Sequence, residues 1–475
     1  MLIPPGKGTI LLKGVMRMVK DMTYGSPTRL IVSFSIPIVI GNLFQQLYNM
    51  VDSIIVGQCI GVDALAAVGA TGSLNFLVIG FVLGMCSGFC IPVAQAFGAG
   101  DYKRMRRCVM NAYYLSLLIT VVLTTLTVLL TRPILELMQT PANIIDDAYR
   151  YIVVIFGGMF SILFYNLFSG IWRALGDSRT PLYFLILSSL LNVVLDLVFI
   201  LNFSWGVAGA SYATVISQAV SAVLCFLYMR RKLPILAVSR DERKPDLRIM
   251  GRLLYMGLPM ALQFSITAIG SIILQSAVNA LGSSVVAAVT AAGKVQMIVT
   301  QPLETLGLTM ATFCGQNLGA GRIDRVKAGV RNCLLISMGC CVVAWAISCF
   351  AGRFISLLFI NASETMILDY TQQFLRVNAL FFPMLGALLI LRNSIQGLGY
   401  SVPAMAAGAF ELVARGLVGF LLAGLFGFSA ICFANPIAWV FACVFLIPAY
   451  LVVMRRLTRA YPAPAEAHTE PAILP

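Results

Sequence analysis

Charge is what this sequence has least of. Of its 475 residues only 11% are Asp, Glu, Lys or Arg, against roughly 25% in a soluble globular protein. A water-facing surface of this size cannot be made from so few charges. That excludes a soluble enzyme, a disordered chain and a nucleic-acid-binding domain. Histidine is nearly missing as well: His468, close to the C-terminus, is the single one. Metal sites with the usual histidine spacings go with it, and no cofactor is expected. The twelve cysteines do not reopen that possibility. Cys86, Cys90, Cys225, Cys314 and Cys432, like most of the others, lie in or beside apolar runs and read as small packing residues.

What is present in excess is apolar length: 59% of the residues are hydrophobic. The runs fall at about 30–57, 65–97, 109–131, 148–171, 181–202 and 207–229. After a basic polar stretch at 230–252, six more fall at about 253–280, 285–317, 329–350, 365–391, 403–424 and 428–454. Each can hold the ~20 residues that cross a bilayer as a helix. They are too long for strands and lack the alternation of a membrane barrel. The fold class is therefore all-α and polytopic, with twelve transmembrane helices.

The net charge of +14 is explained by where the basic residues lie. With the N-terminus inside, most of the 33 fall in cytoplasmic segments. Lys103 to Arg107, Arg230 to Lys232 and Arg322 to Lys327 are examples, and Arg173 and Arg392 are counted with the loops. The outer loops keep Arg132 and Arg353. This asymmetry places both termini in the cytoplasm of a cell membrane. Residues 1–29, with Lys7, Lys13, Arg17 and Lys20 and no cleavage signature, are expected to be a retained tail. Residues 455–475 form the second tail.

The chain repeats itself. Pro37 recurs as Pro259, Gly61 with Ala66-Ala67-Val68 as Gly282 with Ala287-Ala288-Val289, and Gln95-x-x-Gly-Ala-Gly100 as Gln316-x-x-Gly-Ala-Gly321. Leu175-Gly176 and Pro181 recur as Leu398-Gly399 and Pro403. The offset is nearly constant and each half holds six spans, so the halves are parallel repeats, an arrangement of transporters. The expected organisation is an N-lobe at 30–229, a linker at 230–252 and a C-lobe at 253–454.

Polar residues inside the spans carry the functional argument. Span 1 sets Asn42, Gln45, Gln46, Asn49 and Asp52 on one helical face. Facing lipid this stripe would cost several kcal/mol, so it faces a bundle interior or cavity. The amides could be interhelical hydrogen-bonding groups or could meet a substrate, whereas an intramembrane carboxylate marks an ion or proton path. Span 5 adds Asn192 and Asp196, spaced i, i+4, and span 6 adds Thr214. Such hard oxygens suit a small cation such as Na⁺, and close carboxylates could equally take up a proton. In the second half Gln263, Gln301, Glu304, Glu411, Arg415 and Lys294 are candidates for a substrate cavity. Glu411 with Arg415 reads first as an intrahelical ion pair. Lys294 is either a cavity charge or a residue that snorkels.

These residues resemble the multidrug and toxic compound extrusion (MATE) family. The resemblance covers about 22–456. It is carried by the string from Pro37 to Gly57 (PIVIGNLFQQLYNMVDSIIVG), by Gly98-Ala-Gly100, by Ala174-Leu-Gly-Asp177 with Pro181, and by Gly315-Gln-Asn-Leu-Gly-Ala-Gly321. It implies two six-helix lobes in a V around a central cavity, and antiport of Na⁺ or H⁺ against amphipathic, often cationic, compounds. It also implies a cation site in the N-lobe at Asp52, Asn192, Asp196 and Thr214. Acidic residues central to spans 7 and 10, which a second site would need, are missing here. Expected partners are small-molecule substrates and the bilayer, with no nucleic acid and a monomeric chain. A lipid-linked precursor flippase of the same superfamily is the alternative, one that calls for a more basic cavity. A membrane acyltransferase and a major-facilitator transporter fit the residues less well.

Overall fold

In this computed structural model residues 21–461 are described. Lys7, Lys13, Arg17, Lys20 and His468 lie outside them. The first half runs through α1 (Pro27–Cys59), α2 (Val62–Ala70), α3 (Gly72–Gly98), α4 (Tyr102–Leu137), α5 (Ile145–Gly157), α6 (Met159–Ala174), α7 (Arg179–Leu197) and α8 (Gly206–Lys232). The second runs through α9 (Leu247–Ala280), α10 (Ser283–Gly319), α11 (Ile323–Ala346), α12 (Gly352–Ser356), α13 (Thr365–Leu380), α14 (Phe382–Gly397), α15 (Ser401–Leu417), α16 (Ala423–Phe426) and α17 (Phe428–Ala460). Among the described residues ten helical stretches are long and apolar enough to cross a membrane, or twelve spans when the bent pairs α5–α6 and α13–α14 each count as one. Leu129, Phe350 and Phe420 are among many large apolar side chains left exposed. Such a surface suits lipid, not water.

The repeat extends to details of the backbone. The two bent spans turn by 48° and 53°, at Gly158 and Phe381, which are repeat-related positions. Both α7 and α15 end in a five-residue π turn, Val198–Asn202 and Val418–Leu422. Gly100 and Gly321 take positive φ of 68° and 69° just past the ends of α3 and α10, where an L side chain would be strained. At the other end of the molecule Arg132 pairs with Asp146 at 2.7 Å, and its repeat partner Arg353 pairs with Asp369.

Three departures from the sequence reading have physical causes. The apolar run at 65–97 is two helices, because Thr71 turns its hydroxyl back onto the Val68 carbonyl (2.8 Å) and breaks the ladder. The polar stretch 230–252 is largely helix at its edges: α8 continues to Lys232 and α9 starts at Leu247, since charged residues outside the apolar layer still continue a helix. The remainder, 233–246, is strapped to α4. Glu242 accepts two hydrogen bonds from Arg106 (2.8 and 2.7 Å), Arg107 pairs with Asp246, and Tyr114 donates to the Arg243 carbonyl. Third, Arg173 and Arg392 are not loop residues; they sit on α6 and α14 and face the interior.

The two halves grip each other most closely at the end that carries the basic clusters. There each half seats the first turns of its leading helix in the other: Met22, Ile31 and Phe34 pack with Met310, Phe313 and Val326, and Leu253 and Ala261 pack into the first-half core. Gln95 Nε2 donates to the Gly397 carbonyl (3.0 Å), and its Oε1 accepts from Arg252 (3.0 Å). Its repeat partner Gln316 mirrors this. Its Nε2 donates to the Ala174 carbonyl (2.9 Å) and its Oε1 accepts from the Met22 backbone N–H (2.9 Å). Gly98 and Gly319 let the α3 and α10 backbones meet between these two latches.

Candidate functional site

Above the latches two chambers of about 510 and 490 Å³ open between the helices. The first is walled mainly by the N-terminal half and the second mainly by the C-terminal half. Asn42, Ser87, Arg173, Phe264 and Leu308 line both, so the chambers meet there.

The polar stripe of α1 faces the first chamber. Its spacing of three and four residues puts Asn42, Gln45, Asn49 and Asp52 in one line, and all four line the wall together with Tyr48, Tyr151, Thr214 and Gln218. Gln46 is half-buried and is not part of that wall. Asn42 donates to the Thr305 hydroxyl (3.3 Å), and Ser35, two turns earlier, shares a hydrogen bond with Thr309 (2.8 Å). The α1–α10 seam is therefore polar. The α3–α9 seam is the reverse, with Gly84 and Gly88 packed backbone to backbone on Ala261 and Gly257.

Behind Asp52 lies Asp196, completely buried, with Asn192 one turn before it on α7. The Asp52 and Asp196 carboxyls face each other within hydrogen-bonding reach. With its amide nitrogen toward Asp196 Oδ2 (2.9 Å), Asn192 turns its oxygen to the Thr214 N–H (3.1 Å) and hydroxyl (3.2 Å). One oxygen of each carboxylate, Oδ1 in both, is buried with no hydrogen-bond partner. The structure thus brings together Asp52, Asn192, Asp196 and Thr214, the four residues of the expected cation site. Two carboxylates in contact cannot both stay charged by themselves: either a proton neutralises one or a cation sits with the pair. The π turn that follows Leu197 re-aims the end of α7 one residue after Asp196.

The second chamber collects Gln263, Gln301 and Glu304, with Gln396 donating to Gln263 (2.7 Å). Glu411 and Arg415 are buried behind its wall. Their i, i+4 pair (3.5 Å) is joined by Arg392, which lines the chamber and donates to Glu411 at 2.9 Å. Lys294 is exposed and lines neither chamber. Arg415 lies beside the position that the repeat assigns to Asn192. Where the first half keeps open carboxylate oxygens on a contacting pair, the second counter-charges Glu411 with two guanidinium groups and leaves Glu304 on the chamber wall.

Sequence reasoning missed Arg173, Arg392, Tyr48 and Tyr151. The arginines had a usable signal: each is a lone charge, Arg173 within Ile171-Trp172-Arg173-Ala174-Leu175 and Arg392 after Leu389-Ile390-Leu391, unlike the clustered loop residues.

Comparison with known proteins gives the same family as the residues. The MatE family profile matches residues 37–198 and 259–421, one block in each half. A probable multidrug resistance protein of Bacillus subtilis, YpnP, is 30% identical over 80% of this chain and 84% of its own. A more distant relative, an FAD transporter of Shewanella oneidensis, is 21% identical over 78% of this chain and 82% of its own. The crystal structure of a MATE protein in complex with MaL6 superposes with a TM-score of 0.85 at 24% identity, covering 94% of this chain and 99% of that one. The chain belongs to the MatE family of multidrug and toxic compound extrusion transporters.

Proposed function

We propose that this protein is an ion-coupled antiporter that exports amphipathic compounds through the paired chambers in exchange for Na⁺ or H⁺. The observation that carries this reading is the Asp52–Asp196 contact at the chamber wall, with an unpartnered oxygen on each carboxylate. Asp52 and Thr214 reach the chamber, and Asp196 lies behind them, held by the Asn192 amide. A cation or proton entering there neutralises the pair. It drives transport only by binding one conformation better than the other. Following the asymmetry of basic residues, the latched end faces the cytoplasm of the cell membrane, and the substrate leaves at the opposite end. Glu411, the acid on the helix that repeats α7, is held by Arg392 and Arg415 and so is already counter-charged; Glu304 is the carboxylate that lines the second chamber.

The test is transport of a fluorescent dye by the reconstituted protein with Na⁺ and pH gradients imposed separately. One gradient is expected to drive uptake, and Asp52→Asn or Asp196→Asn to abolish that stimulation while dye still binds. Full gradient-driven transport in either variant refutes the site. No response to either gradient refutes antiport.

A further inference from the structure

Arg173 has no role in the coupling scheme. It is half-buried near the end of α6 and is the one charged residue that lines both chambers. The other chamber arginine, Arg392, is tied to Glu411. The Arg173 side chain makes no ion pair and no hydrogen bond among the described residues, and neither chamber carboxylate, Asp52 or Glu304, is paired with it. A guanidinium cannot shed its charge. An unpaired charge kept inside a membrane bundle is expensive, and in transporters such residues mark substrate paths.

We propose that Arg173 is an anion subsite of the chamber and receives the acidic group, a carboxylate, sulfonate or phosphate, of an amphipathic substrate. The inference rests on the export reading above. The planar fork of five N–H donors matches such groups two bonds at a time. Ser87 offers a hydroxyl at the same junction, while Phe264 and Leu308 offer apolar surface to the body of the molecule on either side. Because the junction opens into both chambers, the acid is held at a fixed point and the apolar body is free to lie in either. The selection is then by charge and not by shape.

Rhodamine B and its ethyl ester share one ring system and differ in a free carboxylate, so they probe this directly. Binding to the full-length protein in vesicles is measured by fluorescence polarisation. Wild type is expected to bind the acid about tenfold more tightly than the ester, the scale of a charge-assisted hydrogen bond. Arg173→Gln is expected to erase that preference and leave ester binding within about twofold, and Arg173→Lys to keep part of it as a point charge. Equal binding of the two dyes to wild type, or an undiminished preference in Arg173→Gln, overturns the proposal; Arg173→Lys keeps the test open if Arg173→Gln does not fold. Competition names the source of the anion. Displacement of rhodamine B by a polyprenyl phosphate in the bilayer points to a lipid headgroup, displacement by flavin mononucleotide points to a soluble anion, and displacement by neither overturns the site. If the ester moves under an imposed gradient but no acid preference exists, the subsite fails and export stands. If neither dye moves under any gradient, export fails, whatever the binding preference.

Discussion

Alanine at Gly98 should hold the latched end open. A Cβ on Gly98 would lie 2.0 Å from the Gln316 carbonyl oxygen, and one on the repeat partner Gly319 would lie 1.9 Å from that of Gln95. Contacts of a Cβ below 3.0 Å are essentially never seen, and the obstacle is backbone, so the two helices must part by about 1 Å. Gln95 and Gln316 sit at this crossing, and their cross-lobe bonds are already 2.9–3.0 Å long. A further ångström takes them to about 4 Å, beyond hydrogen-bonding distance. Four bonds at ~0.5–1.5 kcal/mol each make a loss of at least ~2 kcal/mol, or about 30-fold in the balance between the latched and open forms. Spin labels at the exposed Lys103 and Lys327, one in each half at this end, read the separation by pulsed electron resonance. Gly98→Ala and Gly319→Ala should each lengthen and broaden that distance and lower efflux. Gly69→Ala, which meets nothing within 4 Å, should change neither. Wild-type distances together with wild-type efflux in Gly98→Ala would refute the claim that closure of this end depends on the crossing.

Two further outcomes follow from the charge pairs. Glu411→Gln leaves Arg392 and Arg415 buried without their counter-charge and should destabilise the protein by ~3–5 kcal/mol. A lower melting temperature in detergent, largely restored when Arg392→Leu and Arg415→Met are added, is the expected result; an unchanged melting temperature in Glu411→Gln would contradict the triad. The strap between the halves should be acid-sensitive. Hydrogen bonds from Arg106 hold the Glu242 carboxyl down at about 2, below its ordinary 4.5. A depressed carboxyl stabilises the fold above its ordinary value, and that contribution is lost as pH falls toward 2. The melting temperature should therefore drop between about pH 5 and pH 3 in wild type and drop less in Glu242→Gln; identical pH profiles would rule out the strap as the acid-labile element.

The fold was legible because a bilayer leaves little choice: apolar length sets the spans, and the offset of about 222 sets the repeat. The α1 stripe was legible for the same reason, since a helical period places Asn42, Gln45, Asn49 and Asp52 on one face whatever their neighbours are. The meeting of Asp52 with Asp196 was not, because it depends on how α1 and α7 pack. Its place in the sequence reading came from family resemblance, not from spacing. Arg173 and Arg392 were misplaced because counting basic residues near the ends of apolar runs treats every such residue as loop. A last helical turn can dip below the surface, and here it does. Gln95 and Gln316 were visible in the sequence only as members of the repeated Gln-x-x-Gly-Ala-Gly string. A glutamine kept at the same place in both halves, next to a turn that needs only glycine, was the available sign of a cross-lobe role.

The contrast between symmetric latches and asymmetric charge bears on how the proposed cation could move the lobes. Both halves contribute equally to closing the basic end, so neither latch by itself can sense the cation. Helix α1 can. One end of its stripe carries Asp52, and the other is seated in the second half through Ile31 and Phe34. Between them Asn42 and Ser35 meet Thr305 and Thr309 across a polar seam, where hydrogen bonds can be exchanged for others. The opposite seam, Gly84 and Gly88 on Ala261 and Gly257, is packed backbone to backbone and has no such freedom. On the proposed coupling, neutralising Asp52 would act on the helix best placed to shift against α10, with the tightly packed α3–α9 seam as the firmer side. A charge placed at the equivalent point of the second half would act on α9, the helix of that firmer seam. There the chain carries no open carboxylate pair and keeps Glu411 satisfied by its own arginines.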